Sequence, residues 1–186
     1  MNTLVLPEDY NLIETVDLTK DKRALRSLSG GFLSIFIFGI LLGHIFSPYN
    51  IFRMGFRNFL TLGIFYIINI IVHELIHGIT IKLTTGFKVE YGFNWNYAYA
   101  GNTKAYFNRV TYIIIALAPV VILGIIYFLL LIYLPASFFW LFYMLQIFNI
   151  SGALGDFYMV KITRDMPKDM LVNDSGFVMK FYAREE

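Results

Sequence analysis

The sequence predicts an α-helical polytopic membrane protein: four transmembrane helices, a short strand or hairpin between the second and third, and small cytosolic ends. Three observations carry this. Of 186 residues, 58% are hydrophobic and 18% aromatic, and the mean hydropathy is +0.62, well above an ordinary soluble domain. Four apolar stretches approach the roughly 17 to 25 residues that a bilayer core takes as helix. Lys and Arg cluster beside alternate ends of those stretches, as the positive-inside rule requires.

The first span covers about residues 31–46 and ends near Ser47-Pro48. A second runs from about 59 to 83, before Thr84-Thr85-Gly86, and a third from 110 to 134 with Pro119 as an expected kink. After the Pro135 turn, a fourth runs over about 137–160. With both termini inside, the cytosolic side holds every Lys and Arg except Arg53 and Arg57. Inverting the chain would reverse that ratio, so the expected location is an integral membrane protein, in the plasma membrane, with both termini cytosolic.

The ends and the connection are predicted from finer patterns. Residues 1–30 form a cytosolic N-terminal segment that mixes acids and bases, so no cleavable signal peptide is expected. It holds a short amphipathic stretch at 19–28. Residues 31–162 are the four-span core, with a membrane-associated strand or hairpin at 87–108, and 163–186 a cytosolic tail with a turn at Asn173-Asp174-Ser175-Gly176. Between 87 and 99, Phe87, Val89, Tyr91, Phe93, Trp95, Tyr97 and Tyr99 alternate with polar or small residues, the period of a strand. Gly101-Asn102 is a candidate turn, with a return strand at 105–107. The aromatics suit an interfacial belt, or a sheet edge that pairs with another extended chain.

The second span contains His73-Glu74-Leu75-Ile76-His77. Positions i and i+4 share a helix face, so both imidazoles can bind one metal while the Glu between them holds a water. Such a pattern arises by chance, but three unused ionisable groups are costly inside a bilayer. No Cys is present, so metal ligands must come from His, Asp, Glu or Asn. A catalytic zinc normally takes three protein ligands and leaves one position open. Measured from Lys82 at about 1.5 Å per residue, His77 and His73 lie roughly 7 and 14 Å deep. Asp156, five residues before Lys161, lies at about 7 Å, the same level. His44 is about 20 Å deep, near the outer face, and reads as interfacial or structural. Glu90 reads as a solvated strand charge.

Supporting residues share these faces. Asn69 precedes His73 by four, and Gln146, Asn149, Ala153 and Asp156 form a line on the fourth span. Ser151, Gly152, Gly155 and Gly78 are small residues that let membrane helices approach closely.

HELIHG on one span, an aromatic strand segment, and NISGALGD on a later span resemble the small zincin-type membrane metallopeptidases, largely of unassigned function, and more distantly the site-2 proteases. The resemblance implies a zinc site in the membrane near the cytosol, with one Zn2+ per chain. His73, His77 and Asp156 would be its ligands and Glu74 the catalytic base. Site-2 proteases carry Asn-x-x-Pro-x-x-x-x-Asp-Gly, whereas this chain reads Asn149-Ile-Ser-Gly-Ala-Leu-Gly-Asp156, so no role for Asn149 carries over from them.

The expected function is an intramembrane zinc metallopeptidase, hydrolysing a peptide bond of a membrane-embedded or membrane-adjacent protein by zinc-activated water. Glu74 would be its base, with Asn149 and Asn69 as candidate helpers. The partners expected are a membrane protein or peptide substrate and the bilayer; a formal net charge of +2 gives no reason to expect nucleic acid. A non-catalytic zinc scaffold or sensor would keep the ligands without needing Glu74 as an acid–base group. A small ion or proton carrier would use the same polar residues as a relay, but four spans without repeats suit that poorly.

Overall fold

Four helices long and apolar enough to cross a membrane organise the computed structural model, which describes residues 2–47, 50–51, 55–93, 98–176 and 178–184. Of the residues singled out in the sequence, Pro48, Arg53, Asn94, Trp95, Asn96 and Tyr97 lie outside these.

After β1 (Tyr10–Asp17), Asp21 caps α1 (Lys22–Phe46), its carboxylate accepting from the Arg23 and Ala24 amides at 2.8 and 3.0 Å. The amphipathic stretch at 19–28 is therefore largely the first two turns of the first span rather than a separate piece. Helix α2 (Phe56–Thr85) ends at Gly86, whose φ of 73° suits a residue without Cβ. Helix α3 (Arg109–Tyr133) is capped by the Asn108 side chain. A 3-10 turn at Ala136–Phe138 leads into α4 (Phe139–Gly152), followed directly by α5 (Leu154–Asp165).

The expected fourth span is present as Ala136–Asp165 but is interrupted at Ala153, which divides it into α4 and α5. Ala153, fully buried at φ −78° and ψ 8°, leaves helical geometry between them. Glycines at 152 and 155 make this the weakest helical stretch of the span, and Leu154 leans on Gly31 of α1. Asp156 consequently falls in the first turn of α5, where a carboxylate is favoured by the helix dipole.

The segment read as one strand over 87–99 is instead an antiparallel hairpin of β2 (Glu90–Phe93) and β3 (Ala98–Gly101), with Tyr91 opposite Ala100 and Gly92 opposite Tyr99. Gly101 ends β3 rather than turning it. The short β4 (Phe107–Asn108), expected as a return strand on this hairpin, pairs elsewhere, with β5 (Leu171–Asp174). The N-terminal segment and the C-terminal tail together form one antiparallel sheet in the order β1, β6 (Val178–Arg184), β5, β4. Tyr10 stands opposite Arg184 and Asp17 opposite Val178, with a bulge between Leu12 and Glu14.

This sheet caps the helix ends at Lys22, Thr85 and Arg109. Ala105, Phe107, Met170, Val172, Met179 and Phe181 bury against Ile81, Tyr112, Ile115 and Met159 from the helices. A second core inside the bundle joins Ile76, Leu123, Tyr127, Trp140, Leu145 and Ile147. Helix α1 docks on α4 through Gly39 and Gly43, four residues apart. The Tyr143 hydroxyl donates to the Gly39 carbonyl at 2.9 Å, and a Cβ on Gly43 would lie 2.5 Å from the Tyr143 ring.

Candidate metal centre

His73 and His77 stand one turn apart on α2, their rings 4.9 Å apart and nearly perpendicular. Asp156 reaches them from α5: Oδ2 lies 3.3 Å from His73 Nε2, and Oδ1 3.5 Å from His77 Nε2. Tetrahedral zinc bonds of about 2.0–2.2 Å place neighbouring donors roughly 3.3 Å apart, so these separations match a shared zinc ion. The three residues are the one such group of His, Asp or Glu among the described residues. The donor set, two imidazoles and one carboxylate, is the chemistry of a catalytic zinc with a position left for water.

One ligand's orientation traces to a proline. Pro119 lies inside α3 and has no N–H, so the Ile115 carbonyl four residues earlier lacks its helical donor. His77 Nδ1 occupies that carbonyl at 2.9 Å. A carbonyl only accepts, so Nδ1 carries the proton and Nε2 turns a lone pair toward Asp156 and His73, the outer-shell arrangement common for metal-binding histidines. His77 is 8% exposed, which keeps that bond dry.

Glu74, His73, His77 and Asp156 line one cavity of about 430 Å³, with walls from all five α-helices, β3 and the β5–β6 turn. The hairpin seats against α2 because position 78 is glycine: a Cβ there would fall 2.0 Å from the Tyr91 hydroxyl. The backbone N–H of Ala100 faces the Glu74 carboxylate, so this side of β3 is turned to the site. Asn69 also lines the cavity, its Oδ1 accepting from the buried Tyr127 hydroxyl at 2.7 Å. That bond leaves the Asn69 amide N–H groups free of Tyr127.

Other sequence candidates are elsewhere. Asn149 is not among the cavity-lining residues; it donates to the Val120 carbonyl at 3.0 Å, bracing α4 on α3, while its Oδ1 is buried without a partner among the described residues. His44 Nδ1 pairs with the Ile40 carbonyl, and its ring packs 5.0 Å from Trp140. Glu90 accepts from the Thr103 amide and hydroxyl, outside the cavity.

Two residues that sequence reasoning did not select as site residues also line the cavity, Tyr112 and Asp174. The Tyr112 hydroxyl donates to Asp174 Oδ2 at 2.9 Å, and the Gly176 amide to Oδ1 at 2.7 Å. Gly176 has φ 89°, which lets the turn fold its amide back. Burial holds the Asp174 carboxyl above the usual carboxylate range, against the lowering effect of those two donors. The available signal was the turn Asn173-Asp174-Ser175-Gly176, which reads as structure alone until β5 brings it to α3.

Residues 66–171 match a protein family described as "Putative zincin peptidase". A protein of Pyrococcus woesei, described as "Uncharacterized 24.7 kDa protein in gap 5'region", is 35% identical over 123 residues, which cover 63% of this chain and 52% of that protein. The chain therefore spans about half the length of that relative. No solved structure matches the chain.

Proposed function

Because the chain belongs to this zincin peptidase family, we propose that it is an intramembrane zinc metallopeptidase, cutting a peptide bond of a membrane-embedded or membrane-adjacent protein near the cytosolic face. The observation that carries the reading is the convergence of His73, His77 and Asp156 beside Glu74 in one cavity among apolar helices. His73, His77 and Asp156 hold one zinc, and both termini face the cytosol of a cell whose plasma membrane holds the protein.

Zinc bound there supplies the positive charge that polarises a carbonyl and makes water nucleophilic near neutral pH. Glu74 takes the proton from the attacking water and passes it to the leaving amine. His77, pinned through Nδ1 to Ile115, keeps its Nε2 aimed at the centre. Asn69, held by Tyr127, offers an amide N–H to the developing oxyanion.

A helical substrate hides its carbonyls in hydrogen bonds and must unwind before attack. The hairpin is a two-stranded sheet, so each strand has one edge without a sheet partner among the described residues. With the Ala100 amide turned to Glu74, Ala98 presents its own amide and carbonyl on the same side. An extended substrate paired with Ala98 on that edge regains hydrogen bonds while lying across the metal ligands.

Glu74→Gln tests the reading. The variant should retain zinc and lose cleavage of a single-span reporter by at least about a hundredfold. Equal cleavage by the variant and wild type would leave a zinc scaffold or sensor as the better description.

A further inference from the structure

Asp174 is unusual for a turn residue. It lines the same cavity as Glu74 and Asp156 from the cap sheet, so three carboxylates border one space. Tyr112 and Gly176 use two of its roughly four acceptor positions. Neither partner carries a positive charge, and among the described residues no Lys or Arg lines the cavity, although that side of the chain holds almost all of its basic residues. Burial works against the charged form of such a carboxyl, and a cation brought beside it favours the carboxylate, so the two would stabilise each other.

Position identifies the cation. The end of β3 abuts this turn, since a Cβ on Gly101 would lie 3.2 Å from the Asp174 carbonyl oxygen. A substrate strand laid along the Ala98–Ala100 edge therefore continues toward Asp174 on the side of the cap. Membrane proteins carry their excess Lys and Arg at the cytosolic end of a span. We infer that Asp174 is a specificity-determining residue that pairs with a juxtamembrane Lys or Arg of the substrate and sets which peptide bond reaches the metal centre. This rests on the metallopeptidase reading and on the cytosolic placement of the cap.

The substrate's basic group would be desolvated as it enters, and its hydrogen bond to a charged acceptor is worth about a ten- to hundredfold preference. The Tyr112 hydroxyl acts as the positioning group, fixing the carboxylate toward the cavity.

The test uses full-length protein in liposomes with single-span reporters bearing Lys, Gln or Glu at one juxtamembrane position. Wild type should cut the Lys reporter about ten- to a hundredfold better in kcat/KM than the Glu reporter. Moving the Lys by one residue should move the cleavage site by one residue. Asp174→Asn should remove the preference at unchanged zinc content, and Asp174→Lys should invert it toward the Glu reporter, a rescue that a purely structural role would not give. Tyr112→Phe should weaken the preference without inverting it. If wild type and Asp174→Asn, both zinc-loaded, discriminate among the reporters equally, the assignment of Asp174 is overturned while the peptidase reading stands. If zinc-loaded wild type cuts none of them, the peptidase reading falls first and the inference with it.

Discussion

Replacing Pro119 by Ala should make the protein more stable and its metal centre weaker. The proline ring is fully buried in α3, and its lack of an N–H leaves the Ile115 carbonyl to His77 Nδ1 at 2.9 Å. Alanine restores the missing helical donor and removes the proline penalty of up to about 3 kcal/mol in a helix interior. Losing two ring carbons from a packed site costs roughly 0.8 kcal/mol each, so a net gain of about 1 kcal/mol is expected. The carbonyl has two lone pairs and can be shared, so His77 loses only part of a bond worth about 1 kcal/mol. Complete loss of an outer-shell partner costs about 10- to 100-fold in metal affinity; sharing should place Pro119→Ala near the lower end, about five- to tenfold. Thermal unfolding in detergent reads the first effect and zinc competition against a chelator the second. Unchanged zinc affinity in a variant that has gained stability would refute the argument that the proline frees the carbonyl for His77.

Two further substitutions separate the frame from the site. Asn149→Leu removes the bond to Val120, worth about 1 kcal/mol, together with the unpartnered buried Oδ1. Its melting temperature should stay within a few degrees of wild type, and its zinc affinity should not change; a large drop in affinity would place Asn149 in the centre after all. Gly43→Leu puts carbon where the Tyr143 and Trp140 rings already lie within 2.9 Å of a Cβ. Overpacking of this kind costs about 1–3 kcal/mol, visible as a lower unfolding temperature, with zinc per folded chain preserved.

The grouping of His73, His77 and Asp156 was the most legible part of the chain. His73, Glu74 and His77 are neighbours on one turn, and Asp156 could be matched to them by counting rise per residue from Lys82 and Lys161. The count survived the break at Ala153 because a change of phase alters which way a side chain points more than how deep it lies. The break itself was hidden in a small-residue stretch that reads equally well as helix packing. A hairpin was expected, but its turn was placed at Gly101-Asn102 because aromatic alternation over 87–99 has the same period in one strand or in two, and nothing local distinguishes Tyr91 opposite Ala100 from a continuous run. The cap sheet joins Tyr10 to Arg184, a pairing no window of sequence contains. Asp174 followed from neither motif nor spacing, since its role depends on Tyr112, 62 residues earlier in the chain. Pro119 was visible as a helix irregularity, but what the freed carbonyl holds required α2 beside α3.

Two histidines of α2 and one carboxylate of α5 are proposed to share a zinc ion. Metal analysis of detergent-purified full-length protein tests it most directly, wild type beside Asp156→Ala, with folding checked by thermal unfolding. Wild type should carry about one zinc per chain, and the folded variant, reduced to two protein ligands, only a small fraction of that. A wild type without bound metal, or a variant that keeps its full complement, would contradict the account.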